Sequence, residues 1–219
     1  MEFLKRPWLP PLLVYAAVVG VLKILYTFRG IEFIAKYIHV IALVLFLYTP
    51  LLMIVLKKSN ADSMGLFIGN WITSLRVTGA TCLVVLLPFV VGFILWHRMV
   101  LGHAFTSEWG LPDWTFIVAQ FAGAALPEEV FYRGYLQSSL NRAWPGGRAV
   151  LGARVGKGLL VTSVLFALGH VIIEPTPVRF GVFFPSLIFG WLQERTGSVL
   201  APVLFHGVAA FLGGYPPLA

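Results

Sequence analysis

Long apolar stretches of this sequence contain five ionisable residues whose types and spacing could support chemistry: Glu128, Glu129, Arg133, His170 and His206. A charged residue at the centre of a membrane helix costs about 2.5 to 3.5 kcal/mol, so each needs a partner or a function. Carboxylates and imidazoles can activate water or hold a metal ion. Their spacing therefore indicates which residues pair with each other and which remain for chemistry.

The two adjacent glutamates cannot share one helical face, because neighbouring helical residues point about 100° apart. Glu129 and Arg133 are one helical turn apart and can form an ion pair. Glu128 has no such counter-ion, which makes it the candidate for catalysis. The structural alternative is a buried ion-pair network that holds a helix bundle together.

Pro127 predicts a break in the helix that carries the glutamates. Proline interrupts the hydrogen-bond ladder inside a helix but is tolerated at its first position. If the helix breaks between Gly123 and Leu126, both glutamates lie in the first turn of a new half-helix. Free backbone N–H groups would stabilise their carboxylates there.

The two histidines lie in separate apolar stretches. His170 shares a helical face with Phe166, and small residues between them allow close helix approach. A lone histidine such as His206 is more often a hydrogen-bonded core residue than a catalyst, but the unpaired Glu128 favours catalysis. The other histidines lie near expected helix ends or in loops, where an interfacial position explains them: His39, His97 and His103.

Glu128, His170 and His206 fit two kinds of hydrolytic chemistry. A glutamate acting as general base with histidine assistance fits amide hydrolysis without a metal cofactor. The same three side chains could bind zinc, with a fourth position open for water. They are too far apart in sequence for local spacing to decide between the two.

The elements that position these residues are membrane helices. The chain has 219 residues, of which 58% are hydrophobic and 11% charged, with a mean hydropathy of +0.87. This excludes an ordinary soluble domain. Only helices or closed barrels span lipid, and the alternating pattern of a barrel is absent. We therefore predict an all-α polytopic bundle of about seven spans, within a range of six to eight.

We expect broken or tilted helices around an internal catalytic cavity, because straight helices would leave Glu128 and His170 at different depths. The chain is treated as one membrane domain, 1–219, with N-terminal spans in 1–112 and a catalytic core in 113–219. The expected spans are Trp8 to Tyr26, Phe33 to Leu56, Val77 to Trp96, Trp114 to Leu140, Leu159 to Ile173, Phe180 to Gln193 and Ser198 to Leu212.

The net charge of +7 does not indicate a nucleic-acid partner, because the basic residues are scattered between apolar stretches. Most fall on the face shared with the N-terminus: Lys5, Arg6, Lys57, Lys58, Arg76, Arg142, Arg148, Arg154, Lys157 and Arg195. Arg29, Arg98 and Arg179 fall on the other face. The positive-inside rule then predicts a cytoplasmic N-terminus and, with an odd number of spans, an external C-terminus. We expect the membrane to be a bacterial inner membrane.

Three motifs resemble those of the CaaX prenyl endopeptidase and bacteriocin-processing family (CPBP or Abi) of intramembrane proteases. They are Glu-Glu-x-x-x-Arg at Glu128, Glu129 and Arg133, Phe-x-x-x-His at Phe166 and His170, and the first residue of His-x-x-x-Asn at His206. The segment from Gly190 to Ser198 is similar to the family's approach to that last histidine. The resemblance covers roughly residues 114 to 210.

The resemblance implies a glutamic-type endopeptidase that cleaves a membrane-anchored protein or peptide. Glu128 would activate water with help from His170, and His206 would stabilise the tetrahedral oxyanion. The supporting residues would be Glu129, Arg133 and Phe166. The resemblance favours chemistry without a catalytic metal, with zinc as the alternative. Myxosortase-like relatives, which process C-terminal sorting signals, suggest one candidate substrate.

Ala210 departs from the family pattern, because it replaces an asparagine that would complete the oxyanion site. Loss of one such donor typically costs on the order of 10² to 10³ in rate. Three explanations of Ala210 are open. Another hydrogen-bond donor replaces the asparagine, or His206 stabilises the oxyanion alone, or the protein is a non-catalytic binding or scaffold protein. A proton-coupled transporter is a further alternative, against which the absence of an internal repeat weighs. An unpaired Glu128 favours the enzyme, since a scaffold gains nothing from its cost.

Overall fold

The computed structural model describes residues 6–56, 61–66, 70–100 and 113–214, with the side chain of His97 excepted. Within these ranges the chain forms seven helices and one short β-hairpin. The helices are α1 (Leu9–Thr27), α2 (Glu32–Val55), α3 (71–99), α4 (114–143), α5 (Lys157–Ile173), α6 (Phe183–Thr196) and α7 (Leu200–Gly214). Each overlaps one predicted span, and the all-α bundle is confirmed. Four residues used in the sequence analysis lie outside the described residues: Lys5, Lys57, Lys58 and His103.

Three of the described helices are long and apolar enough to cross a membrane: α1, α2 and the part Trp71–Trp96 of α3. Helices α5 and α7 are apolar but shorter. Large apolar side chains are exposed on the outer faces of α2 and α3, including Phe33 and Val84. Such surfaces are solvated by lipid rather than by water. The chain is therefore an integral membrane protein.

Polar side chains mark where several helices begin and end. Asn70 precedes α3 and accepts a hydrogen bond from the backbone N–H of Thr73 at 3.0 Å. Asp113 precedes α4 and accepts one from the backbone N–H of Thr115 at 3.2 Å. The hydrogen bond from the Thr115 hydroxyl, and after it the one from the Thr115 backbone N–H, lower the pKa of Asp113. Helix α6 ends at Gly197, whose φ of 69° is left-handed.

A short antiparallel hairpin connects α4 to α5, where the sequence analysis predicted no strands. It pairs β1 (Arg148–Val150) with β2 (Ala153–Val155). The turn residues Leu151 and Gly152 both have positive φ, at 46° and 80°, as in a type I′ turn. The indole N–H of Trp191 donates to the Val150 carbonyl at 2.9 Å, which joins the hairpin to α6.

Helix α4 is continuous through Pro127, so the predicted break near Gly123 to Leu126 was wrong. Two π-helical segments, Ala119–Ala125 and Val130–Gln137, flank the α-helical turn Leu126–Glu129. The widened π turn accommodates a residue that lacks an N–H donor, so no break is needed. Both glutamates consequently lie in mid-helix between two π segments, a type of distortion that is frequent at functional sites.

The polar connections cluster at the two ends of the bundle. Trp8 contacts Trp144 at 6.2 Å between ring centroids, which brings the start of α1 to the end of α4. The Arg195 side chain lies against Gly152, so the hairpin and the end of α6 are also at this end. At the other end, a 3₁₀ helix (Pro177–Val182) connects α5 to α6.

Candidate active site

A buried network of charged side chains joins α4, α6 and α7. The Arg133 Nε lies 3.1 Å from Glu129 Oε2, and both side chains are fully buried. His206 Nδ1 lies 2.9 Å from Glu129 Oε1. Arg133 Nη2 donates to the Ser186 hydroxyl at 2.9 Å. The ion pair expected between Glu129 and Arg133 is present, and both Glu129 oxygens have cationic or imidazole neighbours.

Two phenylalanine rings enclose this network. The Arg133 guanidinium carbon lies 5.0 Å from the Phe166 ring centroid and 5.5 Å from that of Phe189. The His206 ring stacks on Phe189 at 4.6 Å with an interplanar angle of 15°. Cation–π contacts of this kind stabilise a desolvated guanidinium. Phe166 thus supports the ionic network as well as contacting the neighbouring His170.

Glu128 makes no hydrogen bond to the described residues of this network and lines an open cavity of about 1190 Å³. Glu128 and Tyr132 of α4 contribute to its lining, as do Gly169 and His170 of α5. Glu128 Oε2 is buried and has no hydrogen-bond partner among the described residues. A desolvated carboxylate oxygen without a donor is costly, so Glu128 has an acceptor available for a bound molecule.

The structure fixes the tautomer of His170. Its Nδ1 lies 2.8 Å from the Phe166 carbonyl oxygen. A carbonyl only accepts, so Nδ1 carries the proton, and Nε2 of the neutral ring is an acceptor. The two cavity residues Glu128 and His170 can therefore each accept a hydrogen bond from one water molecule.

His206 occupies a different position from the other two predicted catalytic residues. It does not line the cavity that Glu128 and His170 share, and its Nδ1 is bound to Glu129. Its ring nevertheless lies within electrostatic range of the Glu128 carboxylate. The predicted catalytic set is therefore divided into a cavity pair and a histidine held by the neighbouring glutamate.

The residues present do not fit a preformed zinc site. Among the described residues, no three His, Cys, Asp or Glu side chains are arranged to hold a metal ion. The alternative zinc ligands would be Glu128, His170 and His206. His206 binds Glu129 instead and does not line the cavity that the other two share. Chemistry without a metal cofactor stays a prediction.

Sequence reasoning missed three residues of this site: Tyr132, Ser186 and Phe189. Tyr132 follows Glu128 by one helical turn, so helical spacing could have placed it on the same side. Phe189 directly precedes the segment from Gly190 to Ser198, which the resemblance had already marked. Ser186 carried no comparable signal, because a single hydroxyl in an apolar stretch has many structural uses.

The cavity opens among polar residues at the end of the bundle opposite the hairpin. Arg179 donates to Glu174 at 2.5 Å, and Arg29 stacks over Tyr26 at 3.9 Å from its ring centroid. Lys23 also contributes to the lining. The opening thus carries more basic than acidic side chains, while Glu128 lies deeper.

The fold and the site define a polytopic helical membrane protein with a carboxylate and imidazole centre reached from an open cavity. Residues 109–212 match the family model described as type II CAAX prenyl endopeptidase Rce1-like. These residues include α4 and most of α7, with all five ionisable residues of the site. This match confirms the family resemblance that the three sequence motifs indicate. No curated protein and no solved structure gives a significant match.

Proposed function

We propose that this protein is an intramembrane endopeptidase in which Glu128 activates the attacking water. The observation that carries the proposal is the buried, unpartnered Oε2 of Glu128 in a cavity that His170 also lines. A scaffold has no evident use for such an acceptor, whereas a general base requires one. The alternative of a zinc-dependent protease would require His206 to leave Glu129.

The proposed reaction begins with one water held by Glu128 and by Nε2 of His170. Its oxygen attacks the carbonyl carbon of the scissile peptide bond, and Glu128 takes the proton that leaves the water. The π electron pair of the C=O bond moves onto the carbonyl oxygen, giving a tetrahedral oxyanion. Its collapse restores the carbonyl and breaks the C–N bond. The leaving amine takes the proton back from Glu128.

His206 is proposed to act as an imidazolium that stabilises the oxyanion. Glu129 binds its Nδ1–H and balances the added positive charge, while Nε2 has no hydrogen-bond partner among the described residues. A preorganised positive group in a desolvated site favours the transition state over the ground state. Glu129 and Arg133 thus act through His206 rather than on the substrate.

The proposed substrate is a membrane-anchored protein or peptide that enters the cavity from the bilayer edge. A C-terminal sorting signal is one candidate class. The proposed location is a bacterial inner membrane with the N-terminus in the cytoplasm, which puts the cavity opening on the external side. Ala210 is the observation that favours the alternative of a non-catalytic binding protein.

The test uses the purified full chain in vesicles that contain a library of membrane-anchored peptides. We expect the wild type to cleave a subset and Glu128→Gln to cleave none, because glutamine cannot take the proton. Glu194→Gln is the matched control, since Glu194 is a partly buried α6 glutamate hydrogen-bonded to Gln137 and Asn141. Cleavage by Glu128→Gln at the wild-type rate would contradict the proposal.

A chelator arm separates the two hydrolytic mechanisms. The glutamate mechanism predicts unchanged cleavage after dialysis against a strong chelator. Loss of cleavage that zinc restores would instead support the metal alternative.

A further inference from the structure

Tyr132 is a buried tyrosine that lines the same cavity as Glu128 and His170. Its side chain is about 1% exposed. Its ring contacts the Phe166 ring at 4.8 Å between centroids and the Phe46 ring at 5.6 Å. Aromatic neighbours on two sides fix the direction of the phenol, so the hydroxyl has a defined position in the cavity wall.

The hydroxyl of Tyr132 lies against the backbone of α5 immediately before His170. A Cβ added to Gly169 would be 2.9 Å from the Tyr132 oxygen, closer than real Cβ atoms approach such an atom. Only a glycine at position 169 therefore leaves enough space for the Tyr132 hydroxyl. This brings an O–H donor of α4 beside the α5 residue that is expected to hold the water.

That donor is free. Tyr132 makes no side-chain hydrogen bond to any residue in the part of the chain that the structure describes. The neighbouring Tyr15 differs in this respect, because its hydroxyl donates to the Leu165 carbonyl at 2.7 Å. Because Tyr132 lines the cavity, its O–H is available to donate to a molecule bound there.

Two other polar side chains of the cavity lining make hydrogen bonds to neighbouring residues. Thr27 donates to the Lys23 carbonyl, and Arg179 donates to Glu174. Among the described lining residues on α4 and α5, Tyr132 alone carries a hydroxyl. It is therefore a neutral hydroxyl donor that lines the same cavity as both residues that would hold the attacking water.

We propose that Tyr132 is a catalytic residue that donates a hydrogen bond to the oxyanion, in place of the amide that Ala210 lacks. The inference rests on the proposed endopeptidase function. The phenol keeps its proton throughout, so the step adds a hydrogen bond and no proton transfer. Such a donor, fixed in a desolvated wall, stabilises the developing charge without reorganisation.

The first test removes only the hydroxyl. Tyr132→Phe is expected to lower kcat by about 10²- to 10³-fold with little change in KM, because the hydrogen bond forms chiefly in the transition state. Tyr15→Phe is the matched control, since it removes a hydroxyl near the same glycine that is already bonded to Leu165. It is expected to lower the unfolding temperature and to leave kcat unchanged.

The second test uses the contact with Gly169. Gly169→Ala is expected to lower kcat in the wild type, because the new methyl group displaces the Tyr132 hydroxyl. In the Tyr132→Phe background the same substitution should have little further effect on kcat. This non-additivity distinguishes displacement of the hydroxyl from general damage to the helix contact.

The outcomes separate this inference from the proposed function. If Glu128→Gln is inactive and Tyr132→Phe is fully active, the role of Tyr132 is overturned and the proposed endopeptidase function stands. An active Glu128→Gln would overturn the proposed function itself. A shift in the acidic limb of the pH–rate profile of Tyr132→Phe would overturn the oxyanion role, since Tyr132 would then act by positioning Glu128.

Discussion

Glu128 and Glu129 are adjacent in sequence but have different environments. Glu129 has Arg133 on one oxygen and His206 on the other, while Glu128 Oε2 has no partner among the described residues. A carboxylate whose oxygens are already bound is a poor base, because its lone pairs and charge are occupied. The proposed catalytic role is therefore assigned to Glu128, while Glu129 binds and positions His206.

Arg133→Met is expected to destabilise the protein strongly. It leaves the Glu129 carboxylate buried without its counter-ion, and breaking a buried pair from one side costs about 3 to 5 kcal/mol. The free energy of unfolding, measured by SDS titration in mixed micelles, checks this. Arg76→Met changes an exposed arginine of α3 and is the control, with a much smaller expected loss. Equal losses for both variants would contradict a structural role for the buried pair.

His206→Asn separates the two roles of the histidine. Asparagine can occupy the position of Nδ1 and keep a hydrogen bond to Glu129, but it cannot carry the positive charge of an imidazolium. We expect the unfolding free energy to stay close to that of the wild type, and kcat to fall on the order of 10² to 10³. Unchanged kcat would mean that His206 only orders Glu129.

Much of this residue-level arrangement could be predicted from sequence where the geometry is local. Helical spacing correctly separates the two glutamates and pairs Glu129 with Arg133. The bond from His206 to Glu129 could not be predicted in this way, because 77 residues separate them. That contact depends on how α7 packs against α4, which no local rule determines.

The apolar stretches of the sequence predict the positions of the helices. They do not predict the distortions within those helices. Long apolar runs predict each of the seven described helices, since lipid leaves few other options. The π segments of α4 were missed because they depend on packing around Pro127 as well as on the proline itself. The hairpin was missed because Gly-rich segments between spans are compatible with many loops.

At the element scale, Gly207→Ala tests whether α7 must approach α4 closely. A Cβ at Gly207 would be 2.3 Å from the Phe121 ring, so the substitution should cost about 1 to 3 kcal/mol of stability. Gly213→Ala is the control in the same helix, where a Cβ would have no atom within 4 Å. SDS titration of both variants measures the difference, and a stable Gly207→Ala would mean that α7 is held more loosely than the structure indicates.

The whole molecule has two unlike ends. Its cavity opens beside Arg29 and Arg179, while the start of α1, the hairpin and Arg195 lie at the other end. The end with the hairpin carries most of the basic residues in the connections that the structure describes. The positive-inside rule assigns that end to the cytoplasm. In this proposed orientation the cavity opens on the external side of the membrane.

Reporter fusions check this orientation. An odd number of spans predicts that alkaline phosphatase fused after the last residue is active, whereas a fusion within the hairpin is inactive. A fluorescent protein that folds only in the cytoplasm should give the reverse pattern at these two sites. Active phosphatase in the hairpin would invert the topology and place the cavity opening in the cytoplasm.

Glu128 is proposed to activate the water that hydrolyses a peptide bond in another membrane protein. Mass spectrometry of protein termini compares membranes from cells that contain the wild type, Glu128→Gln or no copy of the gene. New termini near membrane anchors are expected in the wild type and are expected to be absent from both other samples. Identical termini in wild-type and Glu128→Gln membranes, with both proteins present in equal amounts, would contradict it.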